Sequence, residues 1–167
     1  MPERETLERA QEDAREGKSP STQAGEFVKE EIDHIREGKH GARSPQQAIA
    51  IGLSKARRAG VKLPPPKKGS TSEATRTKAA RDERRGQSSS QKKTSAKRSR
   101  GVSGALKREG KDAASHSALS KQAHRTARQR GSAARKQAAA KAVRTKGATG
   151  RSQAAKKAAS TRARRAA

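Results

Sequence analysis

"SPQQAIAIGLSKARRAGVKLPPP", Ser44–Pro66, is the stretch on which the reading of the fold turns. Ser44 is placed to cap a helix, Pro45 occupies its first position, and Gln47 completes an S-x-x-Q capping box. Ile49, Leu53 and Ala56 line one face, and Gly52 permits a neighbour to approach closely. Gly60 ends the helix, and Val61 is placed to fold back as a hydrophobic staple. Ile51 lies on the opposite side, to pack on Leu63 or to mark a contact between molecules. The three prolines that follow stop the helix and favour extended backbone.

Working upstream, a second helix is predicted from Ser19-Pro20 or Ser21/Thr22 to the residue before Gly38. Ala24, Val28, Ile32 and Ile35 share a face, with Phe27 at its margin, while Glu26, Lys29, Glu30, Asp33 and Arg36 face away. The connector "GKHGAR" suits an antiparallel helical hairpin. A further helix spans about Glu3 to Glu16, with a weak stripe of Leu7, Ala10 and Ala14 and many charge pairs, and is marginal alone. "REGK" occurs at Arg15–Lys18, Arg36–Lys39 and Arg108–Lys111. Each reads as a helix ending with Gly in the left-handed position, a recurrent stop signal rather than a duplicated module.

Composition limits how much more can fold. The 167 residues carry a net charge of +26, and Ile, Leu, Val and Phe number 14 in all. Nine of the larger apolar side chains fall between Phe27 and Leu63. So little apolar surface offsets the entropy of few residues, and disorder is the default for the remainder. The chain lacks Cys, Trp, Tyr and Asn, so thiol chemistry is excluded. No apolar run approaches a membrane span, and "MPERETLERAQEDAREGK" lacks a signal-peptide core. The expectation is a soluble intracellular protein.

Charge is segregated along the chain. Residues 1–37 hold 11 acids and 6 bases, residues 38–63 hold 6 bases and no acid, and residues 64–167 hold 30 bases and 5 acids. The organisation expected is an acidic, marginal helix at 1–18, a helical hairpin at 19–63, a Pro/Ser/Lys-rich linker at 64–102 and a basic Ala-rich tail at 103–167. The fold class is mostly α plus disorder: a small hairpin of two to three helices and a long tail that is disordered or transiently helical. Ala, Lys, Arg and Gln favour helix, like-charge repulsion opposes it, and phosphates would tip the balance. Arg135–Thr145 and Arg151–Thr161 repeat at a spacing of 16, as tandem units or as low-complexity drift.

Catalytic patterns are missing. "GKS" at Gly17–Ser19 lacks the upstream Gly of a phosphate loop. His34, His40, His116 and His124 have no metal-ligand spacing with Cys or acidic partners, and Glu30 with His34 is an ordinary i, i+4 pair. The acids from Glu3 to Glu31 read as solvated helix faces. No enzyme activity, cofactor, metal or small-molecule substrate is expected.

The bases point to a polyanion. In the tail the candidate contacts are Lys121, Arg125 and Arg128, which form one stripe, then Arg135, Lys136, Lys141, Arg144, Arg151, Lys156, Lys157, Arg162, Arg164 and Arg165. Lys55, Arg57, Arg58 and Lys62 cluster at the end of the third helix, as contacts or as partners of its dipole. Without aromatics to stack on single strands or a recognition helix, duplex DNA or structured RNA would be bound through its backbone. A charge run that only solubilises is the plainer alternative.

Ser21–Gly69, "STQAGEFVKEEIDHIREGKHGARSPQQAIAIGLSKARRAGVKLPPPKKG", resembles a family of small basic bacterial proteins described as a domain of unknown function, DUF6496. The segments "SGALKREGKDAASHSALSKQA" and "AVRTKGATGRSQAAKKAASTRARRA" resemble tails in that family, and in composition are similar to bacterial histone H1-like proteins. The resemblance implies a bacterial cytoplasm and supplies no catalytic residue. The function expected is sequence-independent nucleic-acid binding of nucleoid-associated type. The alternative is an interaction module, with residues 19–63 docking a protein partner or a second copy and the tail tethering to RNA or ribosomes. A membrane surface is disfavoured because the tail has few large apolar side chains to insert.

Overall fold

The computed structural model describes residues 2–88 and 95–166. Helices α1 (Arg4–Arg15), α2 (Pro20–Glu37), α3 (Pro45–Arg58), α4 (Glu73–Gln87), α5 (Ala96–Lys107), α6 (His116–Gln129) and α7 (Gly131–Ala166) follow in order, with a 3-10 turn at Asp112–Ala114. The chain divides between residues 122 and 123 into two compact units. None of the described helices is long and apolar enough to cross a membrane.

Local sequence accounts for the first three helices. Ser44 Oγ accepts from the Gln47 amide at 3.3 Å, while Gln47 Oε1 accepts from the Arg43 amide at 2.8 Å, one residue before the expected position. Gly17 and Gly38 both take left-handed backbone, with φ of 71° and 80°. The Lys18 and Lys39 amides then bond back to the Asp13 and His34 carbonyls at 2.9 and 3.0 Å. The third "REGK" behaves differently: α5 stops at Lys107, and Gly110 is not left-handed.

α2 and α3 run antiparallel, since Ile35 clusters with Ala48 while Ala24 and Phe27 cluster with Ala56. The buried line on α3 is Ala48, Gly52 and Ala56, one residue away from the expected Ile49 face. Gly52 decides this. A Cβ there would sit 2.7 Å from Val28 Cα, so the helices approach where side chains are smallest, and Leu53 packs from the flank. Phe27, expected at the margin, is among the largest fully buried side chains, and Val61 closes the same cluster as its staple.

Glu30 and Glu31 are buried as well, against the expectation of a solvated face. Lys55 explains how: its Nζ lies 3.4 Å from Glu30 Oε1 and 2.5 Å from Glu31 Oε2. The Glu3 amide donates to Glu30 Oε2 at 3.2 Å. Buried carboxylates persist where such partners compensate their lost hydration. α1 is likewise held, with Ala10 and Leu7 in the cluster around Phe27 and Arg9 Nε donating to Glu26 at 2.8 Å.

The expected hairpin with a disordered or transiently helical tail is overturned. The stretch read as a linker carries α4, which packs on α3. Ala79 is buried, Ser54 Oγ donates to Asp82 Oδ2 at 2.6 Å, and a Cβ on Gly86 would collide with the Arg57 carbonyl. Residues 89–94 of that stretch lie outside the described residues. After α5 the chain returns to the core. The Gly41 amide donates to the Leu106 carbonyl at 2.9 Å and the Ala42 amide to the Gly110 carbonyl at 3.1 Å. Ala113 and Ala114 complete a cluster with Ile35, Ala42 and Ala48. These alanines bury little area each, but they fill space that larger side chains could not enter.

The second unit is helical over its described length up to Ala166, apart from the break between α6 and α7 and one at Gly147. α7 is interrupted at Gly147, whose φ of 62° and ψ of −175° are not helical. Alanine, lysine, arginine and glutamine are strong helix formers, and their summed propensity prevails over the repulsion among the cations.

Candidate nucleic-acid interface

Among the described helices, α7 is the longest that carries charge of one sign. Its 36 residues contain eleven Lys and Arg and neither Asp nor Glu. Arg135, Lys136, Lys141 and Arg144 precede the break at Gly147, and Arg151, Lys156, Lys157, Arg162 and Arg164 follow it; all nine are exposed. The Arg165 side chain, also a candidate, lies outside those described. At 100° per residue these cations surround the helix rather than form a stripe. Arg135 Nε and Arg151 Nε donate to the carbonyls of Gly131 and Gly147 at 3.2 and 3.0 Å, which leaves most of each guanidinium facing outward.

On α6, Lys121, Arg125 and Arg128 are exposed and spaced to share one face. No acidic residue follows Asp112 in the chain, whereas fifteen Lys and Arg do. What such a surface can do chemically is neutralise phosphates and displace their counterions.

The four candidates on α3 and just beyond it part company. Arg58 and Lys62 are exposed. Lys55 is committed to Glu30 and Glu31. Arg57 is buried, with Nε donating to the Leu63 carbonyl at 3.1 Å and Nη2 to the Pro64 carbonyl at 3.3 Å. Burial pulls its pKa below the usual guanidinium range, and the Asp82 and Glu83 charges oppose that. Arg57 thus ties the start of the proline run to α3. Arg58 Nε donates to the Ser54 carbonyl at 3.2 Å and lies 4.0 Å from Asp82.

The first unit also brings together groups that linear spacing kept apart. Glu31, His34 and His40 converge at the C-terminal end of α2. Glu3 Oε1 lies 2.8 Å from His34 Nε2 and accepts from Lys39 Nζ at 3.0 Å. The hydrogen bond with His34, then that with Lys39, holds the Glu3 carboxyl down at about 2. The Glu31–His34 spacing of three was visible in the sequence. The arrival of His40 was not, because it depends on the turn at Gly38.

Residues 15–68, from the end of α1 through the proline run, match the profile of a family of unknown function, DUF6496. The match lends nothing to the histone-like reading of the tail. No curated protein and no solved structure matches the chain.

Proposed function

We propose that the protein is a non-enzymatic nucleic-acid-binding protein that holds duplex DNA, in preference to structured RNA, through its phosphates and without reading sequence. The observation that carries this reading is α7, with eleven cations, no acid and its described cations exposed. Its helix offers charges on every side at about 1.5 Å of rise per residue, against one phosphate charge per about 1.7 Å of duplex. Association would be driven by counterion release. The absence of aromatics other than Phe27 argues against stacking on bases. The corresponding location is the nucleoid of a bacterial cytoplasm.

We rank second the reading in which residues 19–63 dock a protein partner. α1, α4 and the 3-10 turn already pack on α2 or α3, which leaves less of the hairpin's surface for a partner.

The test is a titration of the full chain against a duplex at several salt concentrations. Engagement of on the order of ten phosphates gives a log–log slope near −9. Replacing Arg135, Lys136, Lys141 and Arg144 together by Gln should make the slope shallower by up to about 3–4 and weaken binding equally for unrelated sequences. Unchanged affinity and slope in that variant would place the interface elsewhere.

A further inference from the structure

Glu31 and His34 stand one turn apart on α2 and therefore project from the same side. The left-handed Gly38 reverses the chain past the helix end and returns His40 to that side. One ligand atom from each of the three lies within 4.8 Å of the others. The His34 and His40 rings meet edge to face, with centroids 6.2 Å apart.

Glu31 is the anomaly. Its side chain is 1% exposed, and neither carboxylate oxygen has a hydrogen bond of ordinary geometry. Two cationic or potentially cationic groups approach without aligning: Lys55 Nζ at 2.5 Å from Oε2, and His40 Nε2 at 3.2 Å from Oε1. His40 Nδ1 lies 3.1 Å from the Gly41 carbonyl, which can only accept, so Nδ1 carries the proton. In a neutral imidazole, Nε2 would then point a lone pair at a carboxylate. That arrangement is repulsive unless a proton or a metal ion stands between the two atoms.

The surroundings favour the metal. Lys55 is shared between Glu30 and Glu31, so the two buried carboxylates remain one positive charge short, and a bound cation supplies that charge without a proton on His40 Nε2. His34 supplies a further nitrogen donor, which an ion pair would leave unused. Both rings have an outer acceptor, Glu3 for His34 and the Gly41 carbonyl for His40, the arrangement that fixes the tautomer and orientation of ligating histidines. Two ligands on a tetrahedral zinc, with bonds of about 2.0–2.1 Å, stand about 3.3 Å apart. The Nε2–Oε1 separation is close to that value.

We propose that Glu31, His34 and His40 bind one divalent transition-metal cation of the zinc type, Glu31 through Oε1 while Lys55 holds Oε2. Two imidazoles and one carboxylate are a donor set suited to zinc, and water completes the coordination. The bound ion would pin the His40–Gly41–Ala42 turn, whose Gly41 and Ala42 amides donate to the Leu106 and Gly110 carbonyls, and so would act structurally. This inference does not depend on the nucleic-acid reading.

Zinc(II) titrated into the full chain after chelator treatment and buffer exchange tests it. Calorimetry should give one saturable equivalent, and binding should shift the ring resonances of His34 and His40 but not those of His116 and His124. His40→Ala and His34→Ala should each weaken binding by about tenfold or more, and Glu3→Gln by about 10–100-fold, as expected for an outer partner. The His116→Ala/His124→Ala double variant should bind as the wild type. No saturable binding, or resonances that move at His116 and His124 instead, would overturn the site. So would a His40 ring that titrates with pH as an ion pair and ignores zinc. The resonance measurement needs no substitution, so the test survives a variant that fails to fold.

Discussion

Lys55 shows why a basic residue near a basic tail need not face a polyanion. Its stem crosses from α3 to α2, and its ammonium sits between two carboxylates that are each almost fully buried. Removing that charge while keeping the chain length leaves both carboxylates in a dry site. Lys55→Met should destabilise the protein by about 3–5 kcal/mol, read from the midpoint of urea unfolding. A midpoint within error of wild type would mean that water reaches Glu30 and Glu31. Glu3 makes a milder case, because its carboxylate is exposed. Its folded value of about 2 lies below the ordinary 4.5, so its contribution to stability is present above 4.5 and lost as pH falls toward 2. The difference in Tm between wild type and Glu3→Gln, measured with chelator, should therefore narrow between about pH 6 and about pH 3. A constant difference would show that the contact with His34 and Lys39 is not ionic.

α4 is an element whose existence composition argued against. Its fifteen residues contain no large apolar side chain, and its packing rests on Ala79, on Asp82 bonded to Ser54, and on the bare backbone of Gly86 against Arg57. Such an interface tolerates no added volume at its closest point. Gly86→Ala should lift the end of α4 from α3 and speed tryptic cleavage at Arg84 and Arg85 several-fold, since proteolysis tracks local opening. Equal digestion rates would show that α4 is not held there. The same physics governs the alanines at 113 and 114. Apolar periodicity is carried by Leu, Ile and Val, and an element whose contacts are made by methyl groups and main chain leaves no such pattern in the sequence.

Across the molecule, a charge of +26 does not prevent helix from forming over most of the described chain. Intrinsic propensity accumulates over the 36 residues of α7, whereas repulsion between neighbouring cations is screened within about 10 Å at ordinary ionic strength. Far-UV circular dichroism of the full chain, free of nucleic acid and in physiological salt, should show predominantly helix. Adding DNA should raise that signal little, because the helices precede the ligand. A large gain in helicity on binding would mean instead that α7 forms on the phosphates.

What the amino-acid order determined by itself is local. Caps and stops placed α1, α2 and α3 within a residue or two, since Ser44, Pro45, Gly17 and Gly38 act on backbone groups next to them. The segregation of acids from bases was equally plain. What the tertiary structure alone decided is which charges leave water and which small residues carry contacts. Glu31 reads as a surface residue until Lys55 and His40 arrive from other segments, and Gly52 shifts the buried line of α3 only once α2 lies against it. Capping acts within a turn of the chain. Desolvation and close packing depend on atoms tens of residues away, and for that reason the fold alone brings Glu31, His34 and His40 together.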